Sequence, residues 1–79
     1  MIIITYNVFN IDWGGETESF VTGKSLPKQT TITITFGLTN APVDYWDHLT
    51  AIDDYCYDVI GAAAEEFDFK VKLRTKMIR

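Results

Sequence analysis

The stretch Thr31-Ile32-Thr33-Ile34-Thr35-Phe36-Gly37-Leu38-Thr39-Asn40-Ala41-Pro42-Val43-Asp44 changes its hydrophobic period part-way and so decides the fold class. Up to Phe36, isoleucine and phenylalanine alternate with threonine, the two-residue period of a strand with one apolar face, in residue types that favour strands. Gly37 ends that pattern. From Tyr45 onward the apolar residues recur every three to four positions, as on the buried stripe of a helix. Thr39 or Asn40 offers an N-cap, Pro42 suits a first turn, and Asp44 complements the positive end of the helix. The helical period predicts about 25 residues, ending near Phe67 and about 38 Å long at the usual rise. Gly61 is its weakest point, a residue that destabilises a helix interior.

Projected at ~100° per residue, Tyr45, Leu49, Ile52, Cys56, Ile60, Ala63 and Phe67 form the core stripe. Asp44, Asp47, Asp54, Asp58 and Glu65 form a second stripe on the back of the helix. Trp46, Asp53 and Tyr57 share a flank between the two, and Tyr55 lies on the opposite one.

Three further strands surround this centre. Ile2, Ile4, Tyr6 and Val8 alternate with Ile3, Thr5, Asn7 and Phe9, which predicts a strand to Ile11 with apolar residues on both faces and hence a central place in the sheet. At the other end Phe69, Val71, Leu73 and Met77 alternate with Lys70, Lys72, Arg74 and Lys76. The pattern predicts a strand with one apolar and one basic face. Asp12-Trp13-Gly14-Gly15 reads as a turn, and Glu16 to Thr22 as a second strand with Phe20 as its main apolar residue. Together these give one α+β domain over residues 1–79, a mixed three- to four-stranded sheet with one long helix on one face in the order βββαβ. The last strand is then expected beside the first and parallel to it, by a right-handed crossover.

Composition narrows the function classes. The chain has 79 residues, 47% hydrophobic and 14% aromatic, one cysteine, and a net charge of −4. A lone Cys56 excludes an intrachain disulfide and a multi-cysteine zinc site. Nothing resembles a leader peptide or reaches the ~20 apolar residues of a membrane span, so a cytoplasmic protein without membrane contact is expected. Charge is sorted along the chain. Eight of the eleven acids lie between Lys28 and Lys70, where there is no Lys or Arg, whereas residues 70–79 carry five basic side chains and no acid.

No catalytic, metal or cofactor site is expected. His48 and Cys56, about 12 Å apart on one helix, cannot form a nucleophilic pair. Asp44 and His48 at i,i+4 lack a third metal ligand, so an ion pair at the first turn is expected there instead. Cys56 reads as a small buried hydrophobe. The acidic stripe invites a different reading, because like charges one turn apart destabilise a helix and Asp is a poor helix former. Carboxylates that cost stability, set beside Trp and Tyr, fit a protein interface in which aromatics anchor and charges steer. The candidate partner-binding residues are therefore Asp44, Trp46, Asp47, Asp53, Asp54, Tyr57, Asp58 and Glu65, with Trp13 as a further exposed aromatic.

In size, acidity and freedom from catalytic motifs, the chain resembles the small proteins with which bacteriophages inhibit host defence, the anti-CRISPR proteins among them. Some of those present carboxylates where nucleic acid would sit. The resemblance implies a non-enzymatic inhibitor or adaptor that covers a basic surface of a nucleic-acid-handling complex. Two other readings stand beside it. The strand from Lys70 to Lys76 could follow phosphates, although its same-face neighbours are threonines rather than the aromatics of a single-strand platform, and the net charge argues against nucleic acid. Alternatively the chain is an assembly subunit, self-associating through a strand edge or the Ile3 and Phe9 face.

Overall fold

The computed structural model describes residues 1–77 and confirms an α+β domain: a three-stranded antiparallel sheet with one helical element. Strands β1 (Ile2–Asp12), β2 (Thr30–Phe36) and β3 (Glu66–Lys76) lie in the order β2-β1-β3, and helix α1 (Tyr45–Tyr55) connects β2 to β3. The central place of β1 is as its sequence indicates. Its even-numbered residues Ile2, Ile4, Tyr6 and Val8 are buried, and the odd-numbered Ile3, Thr5, Asn7 and Phe9 are half-buried on the outer face. Burying aliphatic side chains of this size stabilises the fold by about 1.5–3 kcal/mol each. Ile32, Ile52, Cys56, Ala62, Phe67, Ile11 and Trp13 complete the core.

The second strand expected over Glu16 to Thr22 does not form. Ser19 is buried, and its Oγ accepts from the amides of Val21 and Thr22, both at 3.0 Å. This local bonding competes with a ladder. The segment folds back on itself, with Ser19 N donating to Lys24 O at 2.8 Å and Leu26 N to Thr17 O at 3.0 Å. With one strand fewer before the helix, the polarity of the last strand inverts. β3 therefore runs antiparallel to β1, and the sheet is antiparallel throughout rather than mixed.

The helix is also shorter than its period predicts. Asp44, rather than Thr39 or Asn40, is the N-cap: its Oδ1 accepts from Asp47 N at 2.9 Å, and Asp47 Oδ2 accepts from Val43 N at 3.2 Å. Two carboxylates thus satisfy two free amides at the positive helix end, a cap contributing about 1 kcal/mol. Pro42 precedes the helix instead of opening it, buried in the loop from 37 to 44. At the other end the backbone widens to a π-helical turn, Cys56–Ile60, and stops at Gly61 in the left-handed region with φ 95°. Phe67 consequently leaves the helical stripe and enters the core from β3. Of the expected stripe only Ile52 and Cys56 are buried on the helical element, with Leu49 and Ile60 packed partly against them; Tyr45 and Ala63 are exposed.

A bulge in β3 overturns the expected basic face. Val71 lies opposite Tyr6 and Leu73 opposite Thr5, so Lys72 is an extra residue and the alternation shifts there. Directly opposed residues share a face. Lys70, opposite Asn7, is thus on the outer face, whereas Arg74 and Lys76, opposite Ile4 and Ile2, are on the helix side. Arg74 Nη1 accordingly donates to Pro42 O at 3.2 Å. Leu73 turns outward with 60% of its surface exposed. Arg79, counted among the basic residues of this end, lies outside the described residues.

Candidate interaction surface

The eight expected partner-binding residues separate into three groups. Asp44 and Asp47 form the N-cap described above, so their carboxylates serve the backbone. Glu65 lies beyond Gly61 and off the helix, its amide bonded to Asp12 O at 2.8 Å. Its side chain fills the space over Gly14, where an added Cβ would stand 2.6 Å from Glu65 Cδ. Trp46, Asp53, Asp54, Tyr57 and Asp58 remain exposed along the helical element.

That last group has a defined shape. Trp46 is 69% exposed and meets Tyr45 edge-on at 5.5 Å, while Tyr45 stacks on Phe69 at 5.4 Å. Eleven residues further on, roughly 16 Å along the axis, stands Tyr57. Phe20, brought from the folded-back loop by the bond from its amide to Gly61 O at 2.8 Å, packs against the Tyr57 ring at 5.2 Å. Both rings stay more than half exposed. Between the aromatic ends, Asp53 and Asp54 border a shallow depression with Tyr57, Ala63 and Ala64. Partial burial, and then the neighbouring charge of Asp54, raise the proton affinity of the Asp53 carboxyl. Trp13, expected as exposed, is buried; its indole Nε1 donates to Pro27 O at 2.8 Å and closes the loop over the core.

A second polar cluster escapes a reading by periodicity. The Tyr6 hydroxyl, buried in the centre of β1, lies 2.6 Å from His48 Nδ1. In the Nε2–H tautomer of the neutral imidazole the phenol donates to Nδ1. Phe69 meets the Tyr6 ring edge-on at 5.8 Å. Burial pushes the Tyr6 phenol up to about 12, against the opposing influence of Arg74. Burial and then Arg74 lower the His48 pKa from 6.5, while Asp47 and Asp44 act to raise it. The expected Asp44–His48 ion pair is therefore replaced by a neutral hydrogen bond that ties α1 to β1. The available signal was Tyr6 itself, a phenol on an apolar strand face that must find a partner.

This arrangement has a pH signature. Because the folded pKa of His48 is depressed, the unfolded chain binds its proton first. The associated stability is present above the unfolded value of 6.5 and is lost as pH falls through the folded one. The midpoint of thermal unfolding is expected to begin to drop as pH falls through 6.5 and to go on dropping through the lower folded pKa of His48. In His48→Gln, which keeps an acceptor but does not titrate, the same scan should be nearly flat.

Cys56 is fully buried, and burial, then Asp53, push its thiol up to about 11. It is thus a protonated core side chain at neutral pH. Among the described residues, no three His, Cys, Asp or Glu side chains are placed to hold a metal ion, and no helix is long and apolar enough to cross a membrane. No family model matches the sequence, and no curated protein or solved structure is found similar to it.

Proposed function

We propose that this protein is a small inhibitor or adaptor that binds a basic surface of another protein through the flank carrying Trp46, Asp53, Asp54, Tyr57 and Asp58, extended by Phe20. The observation that carries the reading is the exposure of Trp46 and of the Phe20–Tyr57 pair at the two ends of a carboxylate-lined strip. Large rings left in water on a small domain are the usual anchors of an interface, and the carboxylates between them steer a cationic partner and disfavour an anionic one. A nucleic-acid-handling complex is the favoured class of partner, since its phosphate-binding groove offers cations in a concave surface. Inhibition of a host defence complex in the manner of the anti-CRISPR proteins is the specific form this takes. The alternative of phosphate binding through β3 is weakened by the bulge, which places Lys70 on the opposite face from Arg74 and Lys76.

The test is capture from host lysate by wild type and by Asp53→Lys/Asp54→Lys/Asp58→Lys. Loss of one captured partner, with an unchanged circular dichroism spectrum, is the expected result. An Asp44→Ala variant serves as the control. It removes a cap worth about 1 kcal/mol and lowers the unfolding midpoint, yet leaves capture intact. Equal capture by wild type and the triple variant at low salt would refute the assignment of the helix flank.

A further inference from the structure

Among the described residues, backbone, exposed apolar side chains and charge coincide along the outer edge of β3. β3 ends the strand order, so its far side pairs with no other strand among the described residues. From Lys70 to Lys76 every residue is exposed, Val71 by 45% and Leu73 by 60%. The same seven residues carry four cations and no acid. We propose that this edge receives an extended, acidic segment of another protein, which adds to the sheet as a fourth strand.

The bulge is what favours such an occupant. A strand that adds to an edge projects its side chains alternately above and below the sheet. It therefore meets charge on both faces, unlike a nucleic-acid backbone lying across one. Lys70 stands on the outer face, Arg74 and Lys76 on the helix side, and Lys72 at the bulge between them. Cations thus flank the edge from both sides. Main-chain hydrogen bonds supply affinity in strand addition, and alternate side chains supply specificity. Here acidic residues of the incoming strand face Lys70 and Lys76, with Lys72 between them, while Val71 and Leu73 offer apolar contact; Arg74 is held inward by its bond to Pro42 O.

A second copy of this chain fits less well. In one unbroken alternation, two antiparallel β3 strands could set Glu66 against Lys76 and Asp68 against Arg74 across the dimer axis. The shift at Lys72 puts Asp68, opposite Phe9, on the outer face and Arg74 on the helix side, so that pairing is lost. In that register Lys70 and Lys72 oppose one another beside the axis, and like charges directly opposed across strands are unfavourable. Lysine on an edge is a known guard against self-pairing; the same charge admits a strand of opposite sign. Of the other carboxylates, Asp53, Asp54 and Asp58 are on the helical element, Asp12 ends the central strand, and Glu18 is held in the folded-back loop by its bridge to Ser25.

The experiment titrates the full chain, followed by amide chemical shifts and amide exchange, with a blocked alternating Glu-Val peptide of about eight residues. Its Lys-Val counterpart, a Glu-Pro peptide of equal charge, and a single-stranded oligonucleotide are run in parallel. The expected result is selective binding of the Glu-Val peptide, slower exchange of β3 amides, and no shift confined to α1. The variant Lys70→Glu/Lys72→Glu/Lys76→Glu, changed only at exposed positions, should weaken that binding by about tenfold or more at low salt and favour the Lys-Val peptide instead. Lys72→Glu alone gives the same direction should the triple variant misfold. Equal binding of the Glu-Pro peptide would reduce the effect to charge attraction and overturn strand addition. Binding of the oligonucleotide in preference would assign the edge to phosphates. Concentration-dependent sedimentation with protected β3 amides in the absence of peptide would assign it to a second copy. No binding of the Glu-Val peptide would also overturn the proposal.

Discussion

Replacing Gly61 with valine is expected to lower stability by about 3 kcal/mol or more, from the sum of backbone strain and forced displacement. Gly61 ends the helical element with φ 95°, a conformation that costs an L-residue about 1–2 kcal/mol. An added Cβ would also collide with Ser19 Oγ and stand 2.9 Å from Val21 N. The backbone atom cannot swing away as a side-chain end can, and the Ser19 hydroxyl already holds the turn of the folded-back loop. For a domain of this size the loss corresponds to about 12 °C or more in the thermal midpoint. Gly15→Val separates the two causes. Gly15 has φ 89° with nothing within 4 Å of an added Cβ, so its substitution should show backbone strain alone, about 1–2 kcal/mol. Equal losses at the two glycines would show that the contact between the Gly61 turn and the Ser19 loop contributes nothing.

Ile52→Ala is the second large effect, an expected loss of about 3 kcal/mol in urea unfolding with an unchanged denaturant slope. Ile52 is the buried residue of α1, fully enclosed between the helix and the sheet. Truncation removes its transfer free energy and leaves a cavity that β1 cannot relax to fill while Tyr6 remains bonded to His48. Small domains start from a stability near the lower end of about 5–15 kcal/mol, so the remaining margin is narrow. Val59→Ala, at a site 52% exposed in the π-helical turn, should stay within about 0.5 kcal/mol. A comparable loss at Val59 would mean that the π-helical turn, rather than the α1–sheet contact, carries the packing.

The candidate surface was partly legible in the sequence. A helical wheel places Trp46, Asp53 and Tyr57 on one flank because i,i+4 and i,i+7 neighbours face the same way in any helix. The wheel cannot show that Asp44 and Asp47 cap the helix, since both are equally compatible with a solvated acidic face. Nor can it bring Phe20 to Tyr57. That contact depends on Ser19 closing a loop and on Gly61 offering its carbonyl, two events 42 residues apart in the chain.

For the fold, the sequence alone settled the α+β class, strand β2, the central place of β1 and the presence of the helix. Each of these is written in the spacing of near neighbours, where side-chain direction follows the backbone period. The tertiary structure decided the rest. Glu16 to Thr22 has strand-compatible residues, yet Ser19 bonds to its own turn and the segment pairs with Lys24 to Leu26 rather than with the sheet. The polarity of β3 follows from that missing strand, and the split of its basic face follows from one extra residue at Lys72. The Tyr6–His48 bond joins residues 42 positions apart. Periodicity fixes which way a side chain points within its own element. Only pairing between elements fixes what it meets, because register is chosen by contacts distant in sequence and one inserted residue reverses every face beyond it.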